Sequence, residues 1–260
     1  MSIPNIQFSI DSGIAQITLD RPDKLNALTH ALMLELLAAL NEANRRDDVR
    51  VISLTGAGRA FCAGQDLSER DPRNRQGSLD LEAIQREVFH PVIRAITDTP
   101  KPVVACVNGV AAGAGAGLAL AADIVLACDT AKFTFSFAKV GLSVDAGLGR
   151  TLAQTLGAQR ARALLMLGGT LSATESEAAG LIWRALPQAD LDEAYDTVLA
   201  QLAAVPRLAI SGIKQAVAAA HLPPSNYLEV EARLQGQAGV HPDYDEGVLS
   251  FLERRPARFT

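Results

Sequence analysis

The chain opens with two short runs, residues 6–10 and 14–19, in which apolar and polar positions alternate on either side of Asp11-Ser12-Gly13. That spacing predicts a β-hairpin. Arg21-Pro22-Asp23 breaks the alternation, and Leu32, Leu36, Leu37 and Leu40 then recur at helical spacing behind Thr29, which is suited to cap a helix through Asn44. Residues 49–55 are an apolar strand running into a glycine-rich loop, residues 56–64. Residues 69–78, charged and punctuated by proline, read as a mobile surface loop. A second cycle follows: helical spacing over 79–97, a stop at Pro100-Lys101-Pro102, a buried strand over 103–107, and a small-residue segment over 109–122. Residues 124–127 read as a strand, and 132–137 as another with Phe133, Phe135 and Phe137 on one face. From Leu148 onward the pattern is helical except for a strand-like piece at 181–185. Strands and helices alternate early and helices dominate late, which predicts an α/β stack of strand–strand–helix turns closed by a helical tail.

Composition narrows the class. With 260 residues, 48% of them hydrophobic and 20% charged, the chain can bury a sizeable core without metal or disulfide staples. Its net charge of −5 and the absence of any Lys/Arg run longer than a pair exclude an electrostatic nucleic-acid surface. Cys62, Cys106 and Cys128 are odd in number and lack C-x-x-C spacing, so reduced, buried thiols and a cytoplasmic location are expected. The N-terminus has no basic region leading into an apolar one. The longest apolar stretch, residues 103–122, is broken by Asn108 and several glycines and makes a poor membrane span.

Several motifs fail. The run Gly113-Ala114-Gly115-Ala116-Gly117 is followed by Leu118, where a dinucleotide fingerprint needs Gly or Ala. No phosphate-cradling G-x-x-x-x-G-K-[ST] and no G-x-S-x-G elbow occur. His30, His90, His221 and His241 show no metal-ligand spacing, so no metal is expected. What remains is a pair of glycine-rich turns, each following a buried strand: residues 55–67 and 107–118. Small residues let main chain approach a ligand, and a helix start leaves N–H groups unpaired. Two such turns side by side could aim two N–H donors at one oxygen, each worth about 3–4 kcal/mol in a dry site; tight strand–helix packing is the alternative use. Asp145 stands alone in an uncharged segment, 140–148, where burial would raise its pKa toward a value useful for proton transfer. It could equally cap the helix beginning near Gly147.

These residues resemble the crotonase, or enoyl-CoA hydratase/isomerase, superfamily. The likeness is carried by Arg21-Pro22-x-Lys24-Leu25-Asn26-Ala27-Leu28, Arg59-x-Phe61-x-Ala63-Gly64-x-Asp66-Leu67, Asn108-Gly109-x-Ala111-x-Gly113-x-Gly115 and Gly180-Leu181-Ile182. It implies a crotonase-like spiral of ββα turns over residues 1–200 and a C-terminal helical region, 201–260, that completes a homotrimer or hexamer and covers the site. The implied substrate is an acyl-CoA thioester, with no cofactor beyond the coenzyme A it carries. Its carbonyl oxygen would sit between the Ala63 and Ala114 N–H groups. Lys24, Leu25 and Ala27 would line the adenine–ribose end, and Gln65, Asp66 and Leu67 the same cleft; Phe251 and Arg254 would reach a neighbouring subunit's coenzyme A. The two hydratase glutamates fall at Gly117 and Phe137, so both carboxylates are missing, and Phe137 would wall the acyl pocket. The segment Gly141-Leu142-x-x-Asp145 and the ending around Asp243-Tyr244-x-Glu246-Gly247 resemble the ring 1,2-epoxyphenylacetyl-CoA isomerases in particular, with Asp145 as proton carrier. Gly147-Leu148-Gly149-Arg150-Thr151 departs from that group's Gly-Gly-Thr-Trp type of sequence. The expectation is therefore an isomerase, with hydration or non-catalytic acyl-CoA binding as the alternatives.

Overall fold

The computed structural model describes residues 2–74 and 77–260; Met1, and Arg75 and Gln76 of the expected 69–78 loop, lie outside the described residues. β1 (Ser2–Ile3), β2 (Ile6–Asp11) and β3 (Ile14–Leu19) form an antiparallel start. The hairpin is the expected one: Asp11 pairs with Ile14, and Ser12 and Gly13 take φ values of 50° and 81°. Those left-handed positions match the right-handed twist of the strands they join. α1 (His30–Arg45) begins at Thr29, whose Oγ1 accepts from the Leu32 N–H at 3.1 Å, and it buries Leu32, Leu36 and Leu40 against the sheet.

The next three turns repeat one plan. β4 (Val51–Gly56) and β5 (Ala60–Cys62) are followed by a helical stretch made of α2 (Leu81–Ile84), a π-helical turn (Gln85–Phe89) and α3 (His90–Thr97). β6 (Val103–Val107) and β7 (Val110–Ala112) lead into α4 (Ala114–Leu120), and β8 (Ile124–Cys128) and β9 (Lys132–Thr134) into α5 (Leu148–Leu156) and α6 (Ala158–Leu167). β10 (Thr170–Ser172), α7 (Ala173–Ala178), β11 (Arg184–Leu186) and α8 (Gln188–Ala204) finish the core. The first strand of each turn joins a sheet ordered β1-β2-β3-β4-β6-β8-β11, parallel from β3 onward; the second joins a sheet ordered β10-β9-β7-β5. Successive turns therefore stack both sheets in step, which is a spiral of ββα units. The parallel strands are buried on both faces, so β6 reads as an unbroken apolar run.

Two expectations need correction. β9 ends at Thr134, one residue before a last in-register bond in which the Phe135 N–H donates to the Gly169 carbonyl at 2.9 Å; Phe133 and Phe135 are fully buried, while Phe137 lies in a 3-10 turn, Phe137–Val140, instead of extending an aromatic strand face. The helical second half also holds two short strands, β10 and β11, where one was expected. All three cysteines are buried and unbridged, and burial pushes the Cys62 and Cys106 thiols up to about 12. No helix among the described residues is long and apolar enough to cross a membrane.

α9 (Arg207–Ala218), α10 (Pro224–Gly239) and α11 (Pro242–Glu253) follow. They bury little in the single chain: α9 buries no residue, and α10 only Leu234. Polar anchors hold them to the core. Lys214 donates to the Ile96 carbonyl at 2.9 Å and pairs with Asp123 at 2.8 Å, and Arg50 donates to the Val205 carbonyl at 2.9 Å.

Candidate active site

The segment after β3 shapes one wall. Asn26 is fully buried; its carboxamide accepts from the Arg21 N–H at 2.9 Å and donates to the Ala57 and Ala60 carbonyls at 2.9 and 2.8 Å. Those three bonds hold Leu25 and Asn26 at positive φ, 50° and 55°. The segment then docks on the loop after β5. Ala63 N–H donates to the Leu25 carbonyl at 2.9 Å, Leu28 N–H to the Gly64 carbonyl at 2.7 Å, and Asp66 N–H to the Leu28 carbonyl at 2.9 Å.

This docking corrects the expectation for Ala63. Its N–H is already spent on Leu25 and is not free to hold a ligand oxygen. Among residues 63–66 the N–H that makes no hydrogen bond to a described residue belongs to Gln65, two positions on. Gly64 makes the turn possible: it sits at φ 90°, and a Cβ there would lie 2.6 Å from the Ala112 carbonyl oxygen and 3.7 Å from the Ala114 nitrogen. The same closeness puts the Gln65 turn beside the start of α4. Ala114 is the first residue of that helix, Gly113 caps it without a side chain, and the Ala114 N–H has no bonded partner among the described residues. The unpaired Gln65 and Ala114 N–H groups therefore belong to residues that border one cleft of about 90 Å³, whose walls also include Ala63, Leu67, Phe137 and Asp145.

Asp145 is the one ionisable side chain among the described residues lining that cleft. It does not cap α5, whose N-cap is Gly147 with no side-chain bond. Its Oδ2 accepts from Gln65 Nε2 at 2.9 Å and from Gln85 Nε2 at 3.2 Å, and its Oδ1 is buried without a partner among the described residues. Burial pushes its pKa from the ordinary 3.8 up to about 6; the Gln85 bond, the field of Arg70 and the Gln65 bond act in the opposite direction. Burial likewise pulls the Arg70 guanidinium below its ordinary value, against the fields of Asp145 and Glu69.

The two positions where the resemblance places the hydratase glutamates are occupied in two ways. A Cβ on Gly117 would lie 2.4 Å from the Cβ of Ala146, so the turn that carries Asp145 already fills that space. Phe137, buried, forms part of the cleft wall.

Other expected residues are distributed differently. The carboxylate of Asp66 turns away from the cleft: Arg21 donates to it at 3.1 Å, and Ser68 donates to it from both its hydroxyl, at 2.6 Å, and its N–H, at 3.2 Å. It caps the 3-10 turn Leu67–Arg70, and together these bonds hold its pKa below the ordinary value. Leu67 lines the cleft, while Lys24 is exposed beside half-buried Leu25 and Ala27. Phe251 and Arg254 are exposed at the end of α11 and do not line this cleft within the chain. Sequence reading missed Gln85, because a glutamine among polar helix positions reads as solvated. Its position behind Ile84 and before buried Val88 and Phe89 was the signal that it faces inward.

A sequence profile described as enoyl-CoA hydratase/isomerase matches residues 9–260. The chain belongs to the enoyl-CoA hydratase/isomerase family. Among family members, a "Probable enoyl-CoA hydratase" of Rhodobacter capsulatus is 44% identical over 100% of this chain and 99% of its own. The 1,2-epoxyphenylacetyl-CoA isomerase of Escherichia coli K12 is 38% identical over 96% of each chain. The solved enoyl-CoA hydratase subunit I of Geobacillus kaustophilus HTA426 superposes with a TM-score of 0.91 at 33% identity, over 98% of both chains. The crotonase spiral expected from the sequence is thus the fold of this enoyl-CoA hydratase/isomerase family member.

Proposed function

We propose that this family member is an acyl-CoA isomerase in which Asp145 moves a proton on a thioester whose carbonyl oxygen is held by the Gln65 and Ala114 N–H groups. The observation that carries the reading is the half-buried carboxylate, lone among the described residues of its cleft, beside the unpaired Gln65 and Ala114 N–H groups. Removing a proton next to a thioester, or one double bond further along, leaves negative charge on the thioester oxygen. Donors fixed where that charge develops lower the barrier without reorganising. The ionised carboxylate takes the proton as the electron pair of the broken C–H bond enters the enolate. Returned to a different carbon, the same proton leaves a displaced double bond, so atoms and charge balance and nothing beyond the substrate's own coenzyme A is required. A carboxyl group with a pKa near 6 is suited to both halves, since it gives and takes a proton at comparable cost near neutral pH.

An enoyl chain is one acyl group for this double-bond shift; an arene epoxide of a phenylacetyl thioester, supported by the likeness to the Escherichia coli isomerase, is another. There the electron pair of the enolate breaks the adjacent epoxide C–O bond, and the proton returns to the same carbon as oxygen rebonds and the ring C–C bond opens. Lys24, Leu25 and Ala27 are assigned to the adenine–ribose end. A trimer, or a pair of trimers, is proposed in which Phe251 and Arg254 meet a neighbour's coenzyme A, in keeping with the exposed apolar side chains of α11. Hydration is the second reading, favoured by the name of the Rhodobacter capsulatus relative. Both are tested together. Asp145→Asn is expected to abolish substrate-dependent exchange of α and γ protons with deuterated water while leaving acyl-CoA affinity within a few-fold, and the native chain is expected not to hydrate a short 2-enoyl-CoA in an absorbance assay. Unchanged turnover in the variant removes Asp145 from the reaction, and rapid hydration reverses the choice.

A further inference from the structure

Two amides, not one, hold the candidate proton carrier, and both hold the same oxygen. Gln65 reaches Asp145 Oδ2 from the loop after β5 and Gln85 reaches it from the π-helical turn, at 2.9 and 3.2 Å. The other carboxylate oxygen, Oδ1, is buried and has no partner among the described residues; neither does the carbonyl oxygen of either glutamine. A buried acceptor left open beside a doubly bonded one is costly unless a donor arrives with the ligand.

Resting on the isomerase reading above, we infer that Gln65 and Gln85 are positioning residues that lock Oδ2 and confine proton transfer to Oδ1, with Gln85 as a determinant that keeps the carboxylate ionised in a buried setting. Two N–H bonds to Oδ2 favour the charged form and leave that oxygen poorly placed to be protonated, so the proton resides on Oδ1. Gln65 has a second consequence. Its main-chain N–H is the proposed thioester donor and its side chain fixes the carboxylate, so one residue sets the distance between the oxygen that takes up charge and the group that moves the proton.

The π-helical register is what delivers Gln85. The Gln85–Phe89 turn interrupts the stretch between α2 and α3, and such insertions alter which side chains face a site. Val88 and Phe89 of the same turn are buried in the core and fix its backbone, and Gln85 is itself half-buried. Among the described residues, Arg70 is the charged group whose field reaches the carboxylate. α4 brings only alanine, glycine and leucine to this region, and Glu69 accepts from the His30 N–H and acts on Arg70. Changes at residue 85 are thus read against a fixed electrostatic background.

The substitution is Gln85→Met, which keeps length and removes the amide. Asp145 protonation is followed directly by infrared difference titration of the full-length protein, with Asp145→Asn as the blank that identifies its carboxyl band. The midpoint in Gln85→Met is expected to rise by about one pH unit, a tenfold change in the dissociation constant. The acid limb of the kcat profile should move with it while KM stays within twofold. A midpoint that does not move overturns the inference, as does a kcat that falls equally at every pH, because a merely structural role would act that way. If Gln85→Met is poorly folded by circular dichroism, Gln85→Glu supplies the same readout: a second carboxyl on Oδ2 must raise the midpoint further, and an unchanged value again overturns the inference. A shifted midpoint in a protein without isomerase turnover upholds the clamp and defeats the isomerase reading instead.

Discussion

Asp145 weighs on stability as well as on chemistry, and the two can be separated. Its pKa is raised from the ordinary 3.8 to about 6, mainly by burial. At about 1.36 kcal/mol per unit, that displacement corresponds to about 3 kcal/mol. The native state holds this proton more tightly than the unfolded chain does, so the contribution is fully present below about pH 4 and is lost as pH rises through about 6. Above that pH the folded protein carries a buried charge that the unfolded chain would solvate freely. Asp145→Asn removes the titration. The asparagine oxygen can still accept from Gln65 and Gln85, and its amide adds a pH-independent donor. The assay is urea denaturation of both proteins at equal chain concentration across a series of pH values, read as the difference between the two stability curves. The variant should gain about 3 kcal/mol on the native chain between the acid and the neutral plateau, with the midpoint of that gain between about pH 4 and about pH 6. Parallel curves, with any constant offset, would show that the carboxylate is not desolvated and would refute the reasoning.

Two further outcomes follow from the same geometry. Ala114→Pro deletes one proposed thioester donor at a position where proline is tolerated, the first residue of a helix; kcat should fall by about 10²–10³ with the circular dichroism spectrum unchanged, and a loss smaller than about tenfold would count against the oxyanion role. Gly117→Glu places a carboxylate where the resemblance puts a hydratase glutamate, but its Cβ would lie 2.4 Å from that of Ala146. It should destabilise the fold by about 1–3 kcal/mol and lower isomerase turnover by displacing Asp145, without conferring hydration. Hydration gained with isomerase turnover intact would contradict this account.

What could be read from the sequence was what short-range chemistry decides. The turn Ser12-Gly13, the Thr29 cap and the apolar runs of β4, β6 and β8 follow from local residue preferences, and the structure has them within a residue or two. The isolation of Asp145 among apolar neighbours foretold the direction of its pKa. β5 and β7 were not legible, since each has three residues and is made by pairing with its neighbour, not by its own pattern. The choice between Ala63 and Gln65 was hidden for a similar reason. Which N–H faces the cleft depends on how residues 63–66 dock on residues 25–28, a contact between segments almost forty positions apart that no spacing within the motif encodes. Asp66 was hidden likewise: its cap on the turn Leu67–Arg70 and its ion pair with Arg21, 45 positions away, remove it from the cleft.

The departures at Gly117 and Phe137 are better understood as one rearrangement than as two losses. Ala146 sits at φ 51°, a conformation that costs a residue with a Cβ about 1–2 kcal/mol, and it packs directly on the bare Cα of Gly117. That strain persists because the turn delivers Asp145 to the cleft, where Gln65 and Gln85 receive it. A carboxylate at 117 and an aspartate delivered by this turn therefore compete for the same volume, and the backbone can hold one arrangement or the other. Phe137, which lines the same cleft as Asp145, presents an apolar wall at the position where the resemblance places the second hydratase glutamate. One proton carrier in a dry pocket favours returning the abstracted proton to the substrate, whereas adding water calls for groups to hold and activate it. On the proposed isomerase reading, the choice between isomerisation and hydration thus reduces to a packing question at Gly117 and Ala146.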